Sequence, residues 1–150
     1  MIHYYEVNLS WETERKGKLS SPVLNESFEV ATPPEFPKGM PGIWSPEHLL
    51  VASVSSCFMT TFLAIAENSK LEFESLSVSA KGKLEKIENK FMISEITLFP
   101  KLVIHNTSDM ERATRILEKS DAACLISNSI KSKIILKPEV TTVAVNHVVL

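Results

Sequence analysis

An uncharged, largely apolar segment at residues 49–66 restricts the fold of this chain more than any other feature of its sequence. Apolar side chains occur on all faces of the helix that this segment would form, which is typical of a helix buried on most sides. Ser45 is placed to cap that helix, Pro46 suits its first turn, and Glu47 favours the positive end of its dipole. We therefore predict a long buried helix that ends at about Asn68.

The same segment raises the question of a membrane span, because a spanning helix needs about 20 predominantly apolar residues. Its polar side chains are five hydroxyls: Ser53, Ser55, Ser56, Thr60 and Thr61. Strand-like sequence flanks the segment on both sides. We therefore expect a central helix packed inside the protein and no membrane association.

Alternation of apolar and polar residues predicts strands before and after this helix. Residues 5–11 have the pattern of a half-buried strand. A long β-hairpin is predicted over residues 76–105, with its turn near Glu88-Asn89-Lys90 and an edge or bulge at Pro100. Further short strands are predicted at residues 19–21, 28–30, 133–136 and 141–150.

Two shorter helices are predicted in the last third of the chain. Ser108-Asp109-Met110-Glu111 matches the capping-box pattern and would open a helix that ends at about Lys119. Residues 122–130 would form a second short helix that holds Cys124. This order of elements predicts an α+β fold in which antiparallel sheets pack around the central helix.

Length and charge narrow the class of protein. A chain of 150 residues can bury a sizeable core, and we predict a single domain over residues 1–150. The net charge of −2 gives no attraction to nucleic acid. The N-terminus lacks the basic-then-apolar order of a signal peptide, so we expect a cytoplasmic protein.

A proline-rich segment at residues 32–44 precedes the long helix. Its four prolines between positions 33 and 41 exclude a helix or an interior strand. Its apolar side chains would form either a fixed wall of a binding site or an ordinary cover for the core. These side chains are Phe36, Met40, Ile43 and Trp44.

The chain has two cysteines, Cys57 inside the long helix and Cys124 in the later helical segment. They are too far apart in sequence for a CxxC motif. The four histidines show no ligand spacing toward them, so we expect neither a metal nor another cofactor. In a cytosolic chain, two such thiols are commonly reduced and buried side chains that serve packing alone.

Two motifs around these cysteines change that interpretation. Ser45-Pro46-Glu47-His48-Leu49-Leu50, followed by Cys57-Phe58, resembles the central-helix signature of the OsmC/Ohr family of thiol peroxidases. Ala123-Cys124-Leu125-Ile126-Ser127-Asn128 is similar to the family's second signature, at the expected distance downstream. The order of elements agrees with that family from about Tyr4 to Val140.

The resemblance implies an OsmC-like fold, a homodimer with its sites at the subunit interface, and reduction of organic hydroperoxides in defence against oxidative stress. It also implies that Cys57 is the peroxidatic thiol, that Cys124 resolves it as a disulfide, and that an external dithiol, such as a lipoyl group, returns the electrons. Arg15 and Glu47 match the family's arginine and its partnering glutamate. One departure is Leu125, because the second signature usually has proline after the cysteine.

The chemistry needs a thiolate, and an unperturbed cysteine is only about 3% ionised at pH 7. Full ionisation would gain about thirtyfold at most, so Arg15 would also have to orient the peroxide and stabilise the leaving oxygen. Glu47 lies about 15 Å from Cys57 along a continuous helix. If both serve one site, we expect Glu47 to come from a partner subunit whose helix runs antiparallel.

Two other functions stay open from the sequence. One is a dimer without catalytic activity that binds small apolar ligands, and the other is a thiol-dependent enzyme acting on another electrophile. Phe58 and Met59, together with the wall of the proline-rich segment, would give a peroxidase an apolar mouth. Core packing explains Phe58 and Met59 equally well.

Overall fold

The computed structural model describes residues 1–143, which fall into two compact units, one over residues 1–50 and the other from residue 51 onward. A single domain over residues 1–150 stays a prediction. The predicted strand at residues 141–150 lies largely outside the described residues, and only its first two positions belong to an observed strand.

The first unit contains a three-stranded antiparallel sheet. Its strands are β1 (Asn8–Thr13), β2 (Lys16–Ser20) and β3 (Phe28–Ala31), in that order across the sheet. The three predicted strands are therefore present, with shifted ends. The prediction that the first is half-buried is wrong, since all six residues of β1 are exposed, Trp11 by 76%. Alternation in the sequence gives the side of the strand on which each residue lies, but not whether either side is covered.

The proline-rich segment of the first unit is irregular, as predicted, and is held by backbone hydrogen bonds. Met40 N–H donates to the Thr32 carbonyl at 2.9 Å, and Ala31 N–H donates to the Trp44 carbonyl at 2.8 Å. A side chain at Gly39 would begin 2.0 Å from the Pro33 carbonyl oxygen, so only glycine fits there. The segment is thus a closed, tied loop.

Helix α1 (Pro46–Asn68) matches the predicted long helix, and the Ser45 hydroxyl caps it by accepting the His48 N–H at 3.1 Å. The expectation of burial on most sides is wrong. One row with a spacing of four residues is buried, and neighbouring apolar side chains such as Met59 and Leu63 are exposed by 41% and 42%. The buried row consists of Val54, Phe58, Phe62 and Ala66.

Helix α1 is also the one helix within residues 1–143 that is long and apolar enough to cross a membrane. Core helices of soluble proteins share that length and composition. Its buried row packs inside the second unit, where Val51 lies so close to Gly82 that a Cβ on Gly82 would come within 2.6 Å of a Val51 methyl group.

The second unit is built on the predicted hairpin, whose strands are β4 (Phe73–Ile87) and β5 (Lys90–Ile104). Glu88 and Asn89 form the turn with positive φ angles of 48° and 66°, the backbone of a tight two-residue hairpin loop. The largest fully buried apolar side chains of the chain lie in α1, β5 and the following helix: Phe58, Phe62, Ile96, Leu98, Leu102, Ile104 and Leu117.

Strands β6 (Lys133–Leu136) and β7 (Glu139–Thr142) both pair with β5 in parallel, so this sheet combines the predicted antiparallel hairpin with two parallel strands. The chain crosses over through a helix before β6, and such a crossover is what parallel pairing requires. Pro100 is not at an edge, because β5 has neighbours on both sides. It lies between the end of β6 and the start of β7, where its missing N–H leaves no ladder hydrogen bond unmade.

Helix α2 (Met110–Ala123) follows a 3₁₀ turn at Thr107–Asp109 and is longer than predicted. The prediction of a capping box is wrong. Asp109 is the cap residue, and its carboxylate contacts Arg112 at 3.2 Å instead of capping the helix. The prediction of a separate short helix at residues 122–130 is also wrong. Cys124 ends α2 in an extended conformation, and a 3₁₀ turn at Ser127–Ser129 follows.

Candidate active site

Cys57 lies in the middle of α1, directly before the buried Phe58, and is half-buried. Thr61, one helical turn later, places its Oγ1 atom 3.9 Å from the Cys57 Sγ atom. The helix therefore presents a thiol and a hydroxyl together at the border of its buried row.

Cys124 is fully buried and lies where the chain leaves α2. Its φ and ψ angles of −65° and 114° turn the backbone away from the helix axis. A new helical turn begins at once, in which Asn128 N–H donates to the Cys124 carbonyl at 3.1 Å and Ser129 N–H donates to the Ile126 carbonyl at 2.9 Å. The first N–H groups of such a turn have no partner within it.

Donors from this turn, from Cys124 and from Thr61 act on the Cys57 sulfur. Burial raises the pKa of the Cys57 thiol, but hydrogen bonds from the Ile126 N–H, the Cys124 thiol, the Thr61 hydroxyl and the Leu125 N–H together outweigh burial and lower it. Each of these donors stabilises a negative sulfur. Cys57 is therefore the more acidic thiol of the pair.

Cys124 has the opposite character. Burial raises the pKa of the Cys124 thiol, the adjacent Cys57 raises it further, and the nearby hydroxyl and N–H of Ser127 offset only part of the increase. The Ser127 Oγ atom is buried and has no hydrogen-bond partner within residues 1–143. Cys124 therefore stays protonated at a pH where Cys57 loses its proton.

A carboxyl group is found one turn before Cys124. The Asp121 carbonyl accepts the Cys124 N–H at 3.3 Å, and burial raises the pKa of the Asp121 side chain. The shift has desolvation as its one cause, so no charged side chain within residues 1–143 contributes to it.

Arg15 lies in the turn between β1 and β2 and is exposed. It lines a cavity of about 540 Å³ within the first unit, together with Trp11, Lys16, Thr32 and Pro46. Lys16 pairs with Glu29 at 2.6 Å, whereas Arg15 forms no ion pair in the described part of the chain. Its guanidinium group is thus available to an anionic ligand.

Glu47 lies in the first turn of α1, as predicted. Its Oε2 atom is buried and has no hydrogen-bond partner among residues 1–143. Arg15 and Glu47 of one chain therefore do not form the expected pair here. A buried carboxylate oxygen without a donor is costly, and a cationic donor from outside the chain would satisfy it.

The predicted apolar wall is divided between cavity and core. Ile43 and Trp44 line a cavity of about 450 Å³ with His48, whose ring packs edge-on against Trp44. Phe36 and Met40 are half-buried in the tied loop. Phe58 is fully buried in the row of α1 that packs on the core. The role of these residues in substrate binding stays a prediction.

Of the predicted site residues, the structure brings Cys57 and Cys124 together. The sequence reasoning missed Thr61, Leu125, Ile126 and Ser127. Thr61 could have been predicted, because it carries a hydroxyl one helical turn after Cys57. The two backbone donors left no signal, because any residue except proline carries an N–H. Within residues 1–143, no three His, Cys, Asp or Glu side chains are grouped to hold a metal ion.

Comparison with solved structures shows the same fold. An OsmC-like protein of unknown function from Vibrio cholerae superimposes with a TM-score of 0.83 at 21% identity, covering 91% of this chain and 99% of that one. An organic hydroperoxide resistance protein from Elizabethkingia anophelis gives a TM-score of 0.76 at 24% identity, covering 95% and 99% of the two chains. These similarities support the predicted OsmC-like α+β fold.

Sequence comparison gives the family. The chain is 26% identical over 145 residues to the uncharacterized protein YmaD of Bacillus subtilis, covering 91% of this chain and 93% of YmaD. The family model described as OsmC-like protein matches residues 39–139, a stretch that contains both cysteines. The resemblance predicted from the two cysteine motifs is therefore confirmed: the chain belongs to the family of OsmC-like proteins.

Proposed function

We propose that this chain is a cysteine peroxidase that reduces organic hydroperoxides in defence against oxidative stress. The observation that carries the proposal is the unequal thiol pair. Neighbouring donors favour the thiolate of one sulfur, and the thiol next to it stays protonated. Packing alone does not require that inequality, whereas a peroxidase needs one nucleophile and one reserve thiol.

The first step is attack of the Cys57 thiolate on the terminal oxygen of the hydroperoxide ROOH. The S–O bond forms, the O–O bond breaks, and the departing alkoxide takes up a proton to leave as the alcohol ROH. Cys57 becomes a sulfenic acid, oxidised by two electrons. The Leu125 and Ile126 N–H groups hold the attacking thiolate at the turn.

The second step joins the two cysteines. The Cys124 sulfur attacks the sulfenic sulfur, its proton leaves with the hydroxyl group as water, and a disulfide forms. An external dithiol, for which the family resemblance suggests a lipoyl group, then reduces the disulfide by exchange and is itself oxidised.

Arg15 and Glu47 complete the site in a homodimer under this proposal. Helix α1 is continuous from Pro46 to Asn68, so Glu47 cannot reach the Cys57 of its own chain. The unpartnered Glu47 oxygen and the unpaired Arg15 guanidinium both support a site that two chains build together. Arg15 would orient the peroxide and stabilise charge on the departing oxygen.

The test is a titration of the fully reduced protein with cumene hydroperoxide. We expect one equivalent of peroxide per chain to remove both free thiols, to yield cumyl alcohol, and to leave a protein two hydrogens lighter with Cys57 linked to Cys124. Hydrogen peroxide serves as the comparison substrate and should react more slowly.

Unchanged peroxide with both thiols still free would contradict the proposal. It would favour a binding protein for small apolar ligands, for which the first unit offers a cavity of about 320 Å³ lined by Val7, Leu19, Leu24, Phe28 and Leu49. Free thiols that react with other electrophiles but not with peroxide would favour a different thiol-dependent enzyme.

A further inference from the structure

Two adjacent threonines of α1 lie about one helical turn after Cys57 and use their hydroxyl groups differently. The Thr60 hydroxyl donates to the backbone carbonyl of Cys57 at 3.1 Å. The Thr61 Oγ1 atom lies instead 3.9 Å from the Cys57 Sγ atom, within hydrogen-bonding range for sulfur. One threonine therefore contacts the backbone of Cys57, and the other contacts its thiol.

The contact of Thr61 departs from what hydroxyl side chains usually do inside a helix, which is to donate to a carbonyl of the preceding turn. Ser55 and Ser56 follow that rule, since both donate to the Ala52 carbonyl, at 3.1 and 2.8 Å. The Thr61 hydroxyl has no carbonyl acceptor within residues 1–143. Its hydrogen bond is thus available to the sulfur.

The position of the pair on the helix supports the contact. Residues four apart lie on the same face of a helix. Cys57 and Thr61 are both half-buried, and they directly precede Phe58 and Phe62 of the buried row. The contact therefore lies at the border of the core, where partial exclusion of water makes a hydrogen bond to a charge stronger than in bulk solvent.

Ionisation of Cys57 fixes the direction of this hydrogen bond. A neutral thiol can donate or accept, whereas a thiolate can only accept. The Thr61 hydroxyl must therefore be the donor once Cys57 has lost its proton. Burial raises the pKa of the Cys57 thiol, and the Thr61 hydroxyl is one of the groups that lower it, in agreement with this direction.

We propose that Thr61 is a further catalytic residue of this site: its hydroxyl donates to the Cys57 thiolate and keeps that sulfur ionised for attack. The part of the proposal that concerns attack on peroxide rests on the proposed function, whereas the part that concerns the thiolate does not. The two can therefore fail separately.

The chain offers a closely matched set of variants. Thr61→Val replaces the hydroxyl with a methyl group and keeps the branched side chain, whose helix propensity is similar. Thr61→Ser keeps the hydroxyl and loses the methyl group. Thr60→Val is the control, because it removes the neighbouring hydroxyl, which bonds to the Cys57 carbonyl and not to the sulfur.

The experiment measures the rate of Cys57 alkylation by iodoacetamide across pH, with the modified site identified by peptide mass spectrometry. We expect the midpoint of the Thr61→Val profile to move to higher pH by about one unit, the effect of one hydrogen bond to a charged group. Below the wild-type midpoint, alkylation of this variant should be about tenfold slower. The Thr61→Ser and Thr60→Val profiles should stay close to that of the wild type.

The upper end of the profile distinguishes this role from packing. Above both midpoints, Thr61→Val should react at least as fast as the wild type, because the nucleophilicity of a thiolate rises with its pKa. A defect in packing that blocks access to Cys57 would slow alkylation at every pH, and that result would contradict the proposal.

Two further outcomes would overturn it. One is a Thr61→Val variant that keeps its fold by circular dichroism and has the wild-type profile, and the other is a Thr60→Val variant that shifts as far as Thr61→Val. If the valine variant does not fold, Thr61→Ala and Thr61→Ser give the same test, because they differ by the hydroxyl alone. Coincident profiles of the alanine and serine variants would contradict the proposal.

Peroxide kinetics then separate the two hypotheses. If the alkylation profile of Thr61→Val shifts as expected but the wild type does not consume cumene hydroperoxide, the peroxidase function fails and the role of Thr61 toward the thiolate stands. If wild type and Thr61→Val consume peroxide at equal rates below the wild-type midpoint, the function stands and the role of Thr61 fails.

Discussion

The two cysteine regions of this protein carry the same side chain in opposite settings. Cys57 lies in the middle of a helix and is half-buried, and all donors to its sulfur except Thr61 come from Cys124 and the turn after it. Cys124 is fully buried, and its thiol donates to the Cys57 sulfur, while Ser127 favours the Cys124 thiolate.

Burial alone does not explain the difference, because burial raises the pKa of both thiols. The number and direction of the donors decide which thiol ionises first. A helical turn begins directly after Cys124, and the N–H groups of Leu125 and Ile126 at its start lower the pKa of Cys57, the proposed nucleophile. The pair is unequal because of backbone conformation, and each of the following predictions alters one side of that inequality.

Serine substitutions should separate the two cysteines most strongly. Cys57→Ser should lower peroxide turnover by on the order of 10³-fold or more, because a hydroxyl is a far weaker nucleophile at neutral pH. Cys124→Ser should leave the first oxidation intact and stop the cycle after it, with Cys57 trapped as a sulfenic acid. Stopped-flow peroxide consumption and mass spectrometry after dimedone labelling measure both effects.

The proposed difference between the two cysteines would be contradicted if both variants lost the first oxidation equally. That result would make Cys124 part of the attacking group and not a reserve thiol. Equal residual turnover in the two variants, with excess dithiol present, would remove the distinction between the roles altogether.

The two steps should also differ in their pH dependence. Because the pKa of Cys57 lies below its ordinary value, oxidation by cumene hydroperoxide should be independent of pH above that pKa and fall about tenfold per pH unit below it. Because the pKa of Cys124 lies above its ordinary value, disulfide formation should keep accelerating with rising pH after the first step has levelled off. Rapid-quench mass spectrometry follows both steps in one experiment.

The free energy of unfolding should depend on pH in the directions that the two pKa shifts set. The lowered pKa of Cys57 stabilises the fold above the unfolded pKa, and this contribution is lost as pH falls through the folded pKa. The raised pKa of Cys124 stabilises the fold below the unfolded pKa, and this contribution is lost as pH rises through the folded pKa. Denaturation of Cys57→Ser and Cys124→Ser across pH should show slopes that change in opposite directions, and parallel slopes would contradict the assignment.

Local sequence signals were enough for the elements that hold this site. Ser45-Pro46 predicted the start of α1, and Glu88-Asn89 predicted the hairpin turn, because capping and positive-φ turns depend on residues near in sequence. The family motifs then pointed to Cys57 and Cys124, which the structure places together.

Features that depend on residues far apart in the sequence could not be predicted from local sequence patterns. Whether α1 is covered on one side or on most sides depends on its neighbours and not on its own apolar content. The parallel pairing of β6 with β5 is decided by the crossover through α2. The donors of Leu125 and Ile126 depend on the extended backbone of Cys124, and no residue type signals that conformation.

Removal of the Ser127 hydroxyl should affect the second cysteine alone. Ser127→Ala takes away a hydroxyl that favours the Cys124 thiolate, so disulfide formation should slow by up to about tenfold, the scale of one hydrogen bond to a charged group. Oxidation of Cys57 should keep its wild-type rate. Ser127→Thr retains the hydroxyl and should restore most of the rate, so a threonine variant as slow as alanine, or an alanine variant slow in both steps, would point to packing instead.

The smallest effect is expected where the two cysteine-bearing helices are tied together. Arg112 of α2 donates to the Ser69 carbonyl just past the end of α1 at 2.6 Å, and to the Asp109 carboxylate at 3.2 Å. Arg112→Ala should lower the free energy of unfolding by about 1 kcal/mol, since both contacts are partly exposed. It should slow disulfide formation by about twofold, which corresponds to about 0.4 kcal/mol of lost alignment.

Arg115→Ala, an exposed arginine one turn further along α2, is the matched control and should change neither quantity. Equal effects of the two substitutions in urea denaturation and rapid-quench kinetics would show that the link between α1 and α2 does not contribute to bringing Cys124 to Cys57.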